Sequence, residues 1–116
     1  MRELFVYGTL MSGERAAGML KGCEFLGEGI LNGYALYDLG PFPGIKEKDG
    51  TQVIGELYRI PDELIERLDS YEGEGSLYKR ETVTINVNNG DYEGVMVYVY
   101  LGEIHDEPLL QRWYGN

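Results

Sequence analysis

Lys79-Arg80-Glu81-Thr82-Val83-Thr84-Ile85-Asn86-Val87, followed after Asn89-Gly90 by the run Tyr92 to Leu101, is the stretch that decides the fold. Its first half alternates, with Val83, Ile85 and Val87 on one side and Thr82, Thr84 and Asn86 on the other, as a strand with one buried face requires. Asn89-Gly90 predicts a two-residue hairpin turn. The returning run places Val95, Val97 and Val99 on one face and Met96, Tyr98 and Tyr100 on the other. An antiparallel hairpin therefore anchors the sheet.

Upstream, Arg2-Glu3-Leu4-Phe5-Val6-Tyr7 is apolar on both faces and predicts a strand buried on both sides, ending at Gly8. Ser12 predicts the cap of a short helix reaching Leu20, with Glu14 in its first turn and Gly22 just beyond its end. From Cys23 to Leu39, Gly27, Gly29 and Gly33 interrupt the apolar residues and suggest bent or bulged strands. Gly40-Pro41-Phe42-Pro43-Gly44 reads as a shaped loop, because its prolines fix φ and lack donors. Gln52 to Ile60 reads as a strand. Pro61 then opens a helix with Leu64, Ile65, Leu68 and Tyr71 on one face, which Gly73 and Gly75 end. The tail after His105 carries little signal. Together these elements predict α+β architecture over residues 1–116 as a single domain: a small mixed, mostly antiparallel β-barrel flanked by short helices, with an open twisted sheet as the alternative.

Composition narrows the function. Ten Lys and Arg against 20 Asp and Glu give a formal net charge of −10, which repels phosphate-rich surfaces, so neither nucleic acid nor an anionic membrane is an expected partner. No run approaches the roughly 20 apolar residues that span a bilayer, and the first residues lack a secretory pattern, so a cytoplasmic monomer or small homo-oligomer is expected. Cys23 and His105 stand alone in their residue types, so no internal disulfide and no zinc site of the usual ligands can be built. Neither a metal nor a cofactor is expected.

Chemistry has to come from other groups. Tyr7-Gly8-Thr9-Leu10 lies where a buried strand gives way to a helix, and small residues there let backbone N–H groups face an anion or oxyanion. A strand-to-helix turn also takes glycine for conformation alone. Tyr71-Glu72-Gly73-Glu74-Gly75 puts a carboxylate at a helix end, where unpaired carbonyls and the nearby Asp69 and Glu74 raise the Glu72 pKa, as suits a general acid/base. A solvated surface glutamate is the competing reading. Strand alternation sets Tyr78 and Arg80 on one face, although most of the 10 tyrosines must be packing residues. His105 and Cys23 sit in no motif that activates them.

Taken in order, Phe5-Val6-Tyr7-Gly8-Thr9-Leu10, Phe42-Pro43-Gly44, Gly55-Glu56-Leu57-Tyr58, Leu68-Asp69-Ser70-Tyr71-Glu72-Gly73 and Tyr78-Lys79-Arg80 resemble the gamma-glutamylcyclotransferase-like family, which includes gamma-glutamylaminecyclotransferases and plant AIG2-like proteins. The resemblance covers nearly the whole chain. It implies a small barrel flanked by helices, a substrate loop made by Tyr7, Gly8, Thr9 and Leu10, and Glu72 as acid/base, with Tyr78 as a substrate-side wall. It implies a small-molecule gamma-glutamyl substrate whose own α-amino group attacks its γ-carbonyl, giving 5-oxoproline and a free amine or amino acid. The doubled pattern Glu72-Gly73-Glu74-Gly75 departs from the family and leaves a second carboxylate within reach of the same pocket. A non-catalytic module holding a small amino-acid-like ligand or peptide end in that pocket is the alternative, and the individual gamma-glutamyl compound stays open.

Overall fold

The computed structural model describes residues 1–113. The chain forms β1 (Arg2–Val6), a 3₁₀ turn (Ala17–Leu20), β2 (Glu24–Asp38), β3 (Pro43–Ile60), a second 3₁₀ turn (Asp62–Leu64) leading into α1 (Ile65–Glu72), β4 (Tyr78–Val87), β5 (Gly90–Tyr100) and β6 (Leu109–Leu110). Among these residues no helix is long and apolar enough to cross a membrane.

Because Leu4, Phe5 and Val6 are all buried, β1 needs partners on both edges and cover on both faces. It pairs antiparallel with β3 (Leu4 opposite Tyr58) and parallel with β5 (Leu4 opposite Met96). β5 pairs antiparallel with β4, β4 meets β2 at Asn86 and Ile30, and β2 returns along the length of β3. The sheet thus closes on itself as a ring of five strands, with β6 on the outer end of β2. Closure leaves few exposed sheet edges and holds the mostly antiparallel arrangement expected of the sequence.

Long, bent strands make the closure possible. The pairing of β2 with β3 shifts register between Phe25 and Gly27 and again between Asn32 and Tyr34, in the glycine-broken stretch expected to bulge. The second 3₁₀ turn docks through Leu64, and α1 through the fully buried Leu68. Burying a leucine side chain contributes about 1.5–3 kcal/mol, enough to seat so short a helix on the ring.

Four sequence expectations need correction. The helix from Ser12 to Leu20 shrinks to the 3₁₀ turn Ala17–Leu20, because Ser12 spends its N–H and hydroxyl on Glu56 and Gly13 and Gly18 disfavour helix. The Gly40–Gly44 loop is shorter than expected: Pro43 and Gly44 already pair with Asp38 and Tyr37, since a proline without an N–H is tolerated as the first residue of a strand. β3 consequently starts nine residues before Gln52. The hairpin turn sits one residue early, with Asn88 (φ 51°) and Asn89 (φ 65°) as the two left-handed central residues and Gly90 already paired with Val87. In the weakly signalled tail, β6 and the buried Trp113 add to the core.

Candidate active site

The end of β1, the loop after it, the C-terminus of α1 and the start of β4 converge on one pocket of about 200 Å³. All six residues singled out from the sequence, Tyr7, Gly8, Thr9, Leu10, Glu72 and Tyr78, line it. Such a volume is below the roughly 300–1,000 Å³ of drug-sized ligand sites and suits an amino-acid-sized group.

Glu72 owes its position to the way α1 stops. Gly73 adopts the left-handed conformation (φ 66°, ψ 48°) that a helix C-cap favours. Its N–H bonds to the Ser70 carbonyl at 3.3 Å, and the Glu74 N–H bonds to the Asp69 carbonyl at 2.9 Å, a Schellman pair that satisfies the last carbonyls. The Glu72 carboxyl group is left facing the cavity, and burial raises its pKa from an ordinary 4.5 to about 7. The direction agrees with the sequence reading. The cause differs, because removal from water does the work that was assigned to Asp69, Glu74 and the helix end.

Glu74 is the clear contrast. It is exposed, does not line the pocket, and its Oε2 accepts the backbone N–H of Arg80 at 3.2 Å. The expectation of a second carboxylate within reach of the pocket is therefore withdrawn.

Of the four tyrosines that line the cavity, Tyr7, Tyr78 and Tyr98 are buried, and each of these has its hydroxyl committed. Tyr7 donates to the Tyr98 carbonyl (2.6 Å), Tyr78 to the Pro43 carbonyl (2.5 Å), and Tyr98 to Asp69 Oδ1 (2.7 Å). Burial is the largest cause pushing all three pKa values up, with the Glu72 charge adding to each, so they stay protonated donors. Arg80 Nε lies 3.3 Å from the same Asp69 oxygen, so the guanidinium expected beside Tyr78 serves the support under Tyr98. Strand alternation does hold here, with Tyr78 buried, Lys79 exposed and Arg80 half-buried.

The loop is tied to the helix by Thr9 Oγ1 and the Tyr71 hydroxyl at 2.7 Å. Among the described residues the N–H groups of Thr9 and Leu10 have no main-chain acceptor, which leaves them available to an anion. Gly8 is not in the left-handed region; its constraint is contact, since a Cβ there would sit 2.6 Å from Pro43 Cγ.

Sequence reasoning missed Arg15, Phe42, Tyr71 and Tyr98 as lining residues. Arg15 reaches the pocket by donating to the Pro41 carbonyl at 2.6 Å, a contact across 26 residues with no local signature. Tyr71 was read only as part of the apolar helix face. His105, near Glu103 at 3.6 Å, and the half-buried Cys23 lie outside the pocket. Among the described residues no three His, Cys, Asp or Glu side chains are grouped so as to hold a metal ion.

A family model described as gamma-glutamyl cyclotransferase, AIG2-like, matches residues 4–114. The gamma-glutamylcyclotransferase family protein YtfP of Escherichia coli K12 is 32% identical over 109 residues, covering 94% of this chain and 91% of that protein. The gamma-L-glutamyl-butirosin B gamma-glutamyl cyclotransferase of Niallia circulans is 31% identical over 120 residues, covering 97% and 76% respectively. The crystal structure of an AIG2-like protein from Mus musculus superposes with a TM-score of 0.86 at 24% identity, over 98% of this chain and 88% of the mouse chain. That last likeness is one of fold.

Proposed function

The chain belongs to the gamma-glutamyl cyclotransferase, AIG2-like family, and from that membership and the pocket we propose that it cyclises a gamma-glutamyl group to 5-oxoproline and releases an amine or amino acid, with Glu72 as general acid/base. The observation that carries the reading is the sharing of one small cavity by the helix-end carboxyl of Glu72 and the loop Tyr7–Leu10.

The reaction asks little of the protein, since the nucleophile comes with the substrate. The α-ammonium gives a proton to Glu72, and the free amine attacks the γ-carbonyl to close a five-membered ring. Glu72 then passes that proton to the departing nitrogen as the bond between it and the γ-carbon breaks, and takes the second proton from the ring nitrogen, which leaves 5-oxoproline as a neutral lactam. A carboxyl group poised near 7 can both accept and return that proton. The Thr9 and Leu10 N–H groups hold the substrate carboxylate, and Tyr7, Tyr78 and Tyr98, with their hydroxyls already committed, serve as walls.

Incubation with a panel of gamma-glutamyl amino acids, peptides and amines, scored by 5-oxoproline, tests the activity. Turnover is expected to be unchanged by exhaustive chelation, and loss of activity with EDTA, restored by metal, would remove the metal-free mechanism. Binding without any 5-oxoproline would favour the non-catalytic module instead.

The pH profile is a second check. Because Glu72 must be ionised to accept the α-ammonium proton, kcat/KM is expected to fall as pH drops below about 7, approaching tenfold per pH unit. A profile that stays flat from pH 8 to pH 5 argues against a carboxylate base.

A further inference from the structure

Glu56 lies on β3, outside the pocket, yet among the described residues it is the charged side chain that the fold buries, at 6% exposure. A carboxylate withdrawn from water is costly unless its oxygens are taken by donors. Three donors take them here. The Ser12 N–H bonds to Oε1 at 2.7 Å, the Ser12 hydroxyl to Oε2 at 2.6 Å, and the Tyr58 hydroxyl to Oε1 at 3.1 Å. Both Ser12 bonds span 44 residues and land on the loop that follows β1, whereas the Tyr58 bond, the longest of the three, stays within β3.

That loop is otherwise short of regular structure. The Met11 N–H closes a turn on the Gly8 carbonyl at 3.0 Å, the Ala16 N–H bonds to the Thr9 carbonyl at 2.9 Å, and the Leu10 and Met11 side chains are buried. Thr9 meets Tyr71 next to Glu72 on α1. The loop is thus held at one side by the helix that carries Glu72 and at the other by Glu56 on the ring wall. A well-packed apolar residue at position 56 would serve stability at least as well as a buried carboxylate, so the charge is explained by the geometry it imposes on Ser12.

Resting on the reading of Tyr7–Leu10 as the substrate loop, we propose that Glu56 is a positioning residue: its two-pronged hold on Ser12 sets the Thr9 and Leu10 N–H groups at the place where the substrate carboxylate is bound. It acts in the ground state and the transition state alike, so its loss raises KM and leaves kcat nearly unchanged.

The test compares Ser12→Ala, Glu56→Gln and Glu56→Ala by steady-state kinetics on whichever gamma-glutamyl compound the parent turns over, and by native-state hydrogen exchange. Ser12→Ala removes one prong at an exposed position and is expected to raise KM about threefold to tenfold, with kcat within about twofold. Glu56→Ala is expected to do more and to speed exchange of the Ser12 amide by about tenfold or more, with the β4–β5 hairpin unchanged. Glu56→Gln is expected to recover part of the loss, because its amide oxygen can still accept the Ser12 N–H while its NH₂ group donates to the hydroxyl. Parent-like exchange at Ser12 in all three variants overturns the proposal, as does faster loop exchange with KM unmoved. A parallel fall in kcat and in protection across the whole chain also overturns it, as the mark of a merely structural residue. Should Glu56→Ala not fold, Ser12→Ala still decides. Should the parent release no 5-oxoproline from any compound, it is the proposed activity that fails, and the exchange arm decides Glu56 by itself.

Discussion

In Glu72→Gln, 5-oxoproline release is expected to fall by about 10²-fold or more while the folded protein becomes more stable at pH 8. The amide is nearly isosteric with the carboxyl group and can neither take the α-ammonium proton nor return it. The stability gain has a separate origin. The folded protein keeps the Glu72 proton up to about pH 7, whereas an ordinary carboxyl loses it near 4.5. Between those values the native state binds more protons than the unfolded chain, so parent stability declines as pH rises through that window and levels off above it. Glutamine has no such charge to bury, and is expected to gain up to about 3 kcal/mol above pH 7 and nothing below pH 4.5. Activity and thermal melting of parent and variant at pH 4, 6 and 8 check both halves. Glu74→Gln should behave like the parent in both assays, because Glu74 lies in solvent against the Arg80 N–H. Reversed losses would reassign the base to Glu74, and full activity in both variants would end the carboxylate mechanism.

Local rules made much of this legible. Alternation located β4 and β5, both-face apolarity located β1, and the Gly73 stop placed Glu72 at a helix end. What the sequence concealed was made by distant pairing. Nothing near Ser12 announces that Glu56 will take its N–H and hydroxyl, so a reasonable helix cap became a loop anchor. The extension of β3 back to Pro43 depends on β2 lying beside it, and tertiary pairing there overrides the local loop signal of Pro43. The same limit hid Tyr98. Its place in an alternating strand is plain, but that its hydroxyl would be held by Asp69, with Arg80 bracing the same oxygen, required β4, β5 and α1 to be brought together.

Gly8 is where a weak sequence signal becomes a specific steric claim. Its backbone is of a kind any residue adopts, so conformation does not demand glycine; an added Cβ would lie 2.6 Å from Pro43 Cγ and 2.8 Å from Cδ. The proline cannot easily retreat. It pairs with Asp38 at the start of β3, and its carbonyl accepts the buried Tyr78 hydroxyl at 2.5 Å. Gly8→Val is therefore expected to cost about 1–3 kcal/mol in stability and, by lifting the Tyr7–Leu10 loop off Pro43, to raise KM by about tenfold or more. Gly8→Ala should show the same effects in milder form. Because the clash is with one ring, truncating that ring ought to relieve it: Gly8→Ala combined with Pro43→Ala is expected to be more stable than the sum of the two single losses, by about 0.5 kcal/mol or more. Additive losses in the double variant would mean that Pro43 is not what excludes a side chain at position 8. Unchanged kinetics and stability in Gly8→Val would return the loop to an ordinary turn.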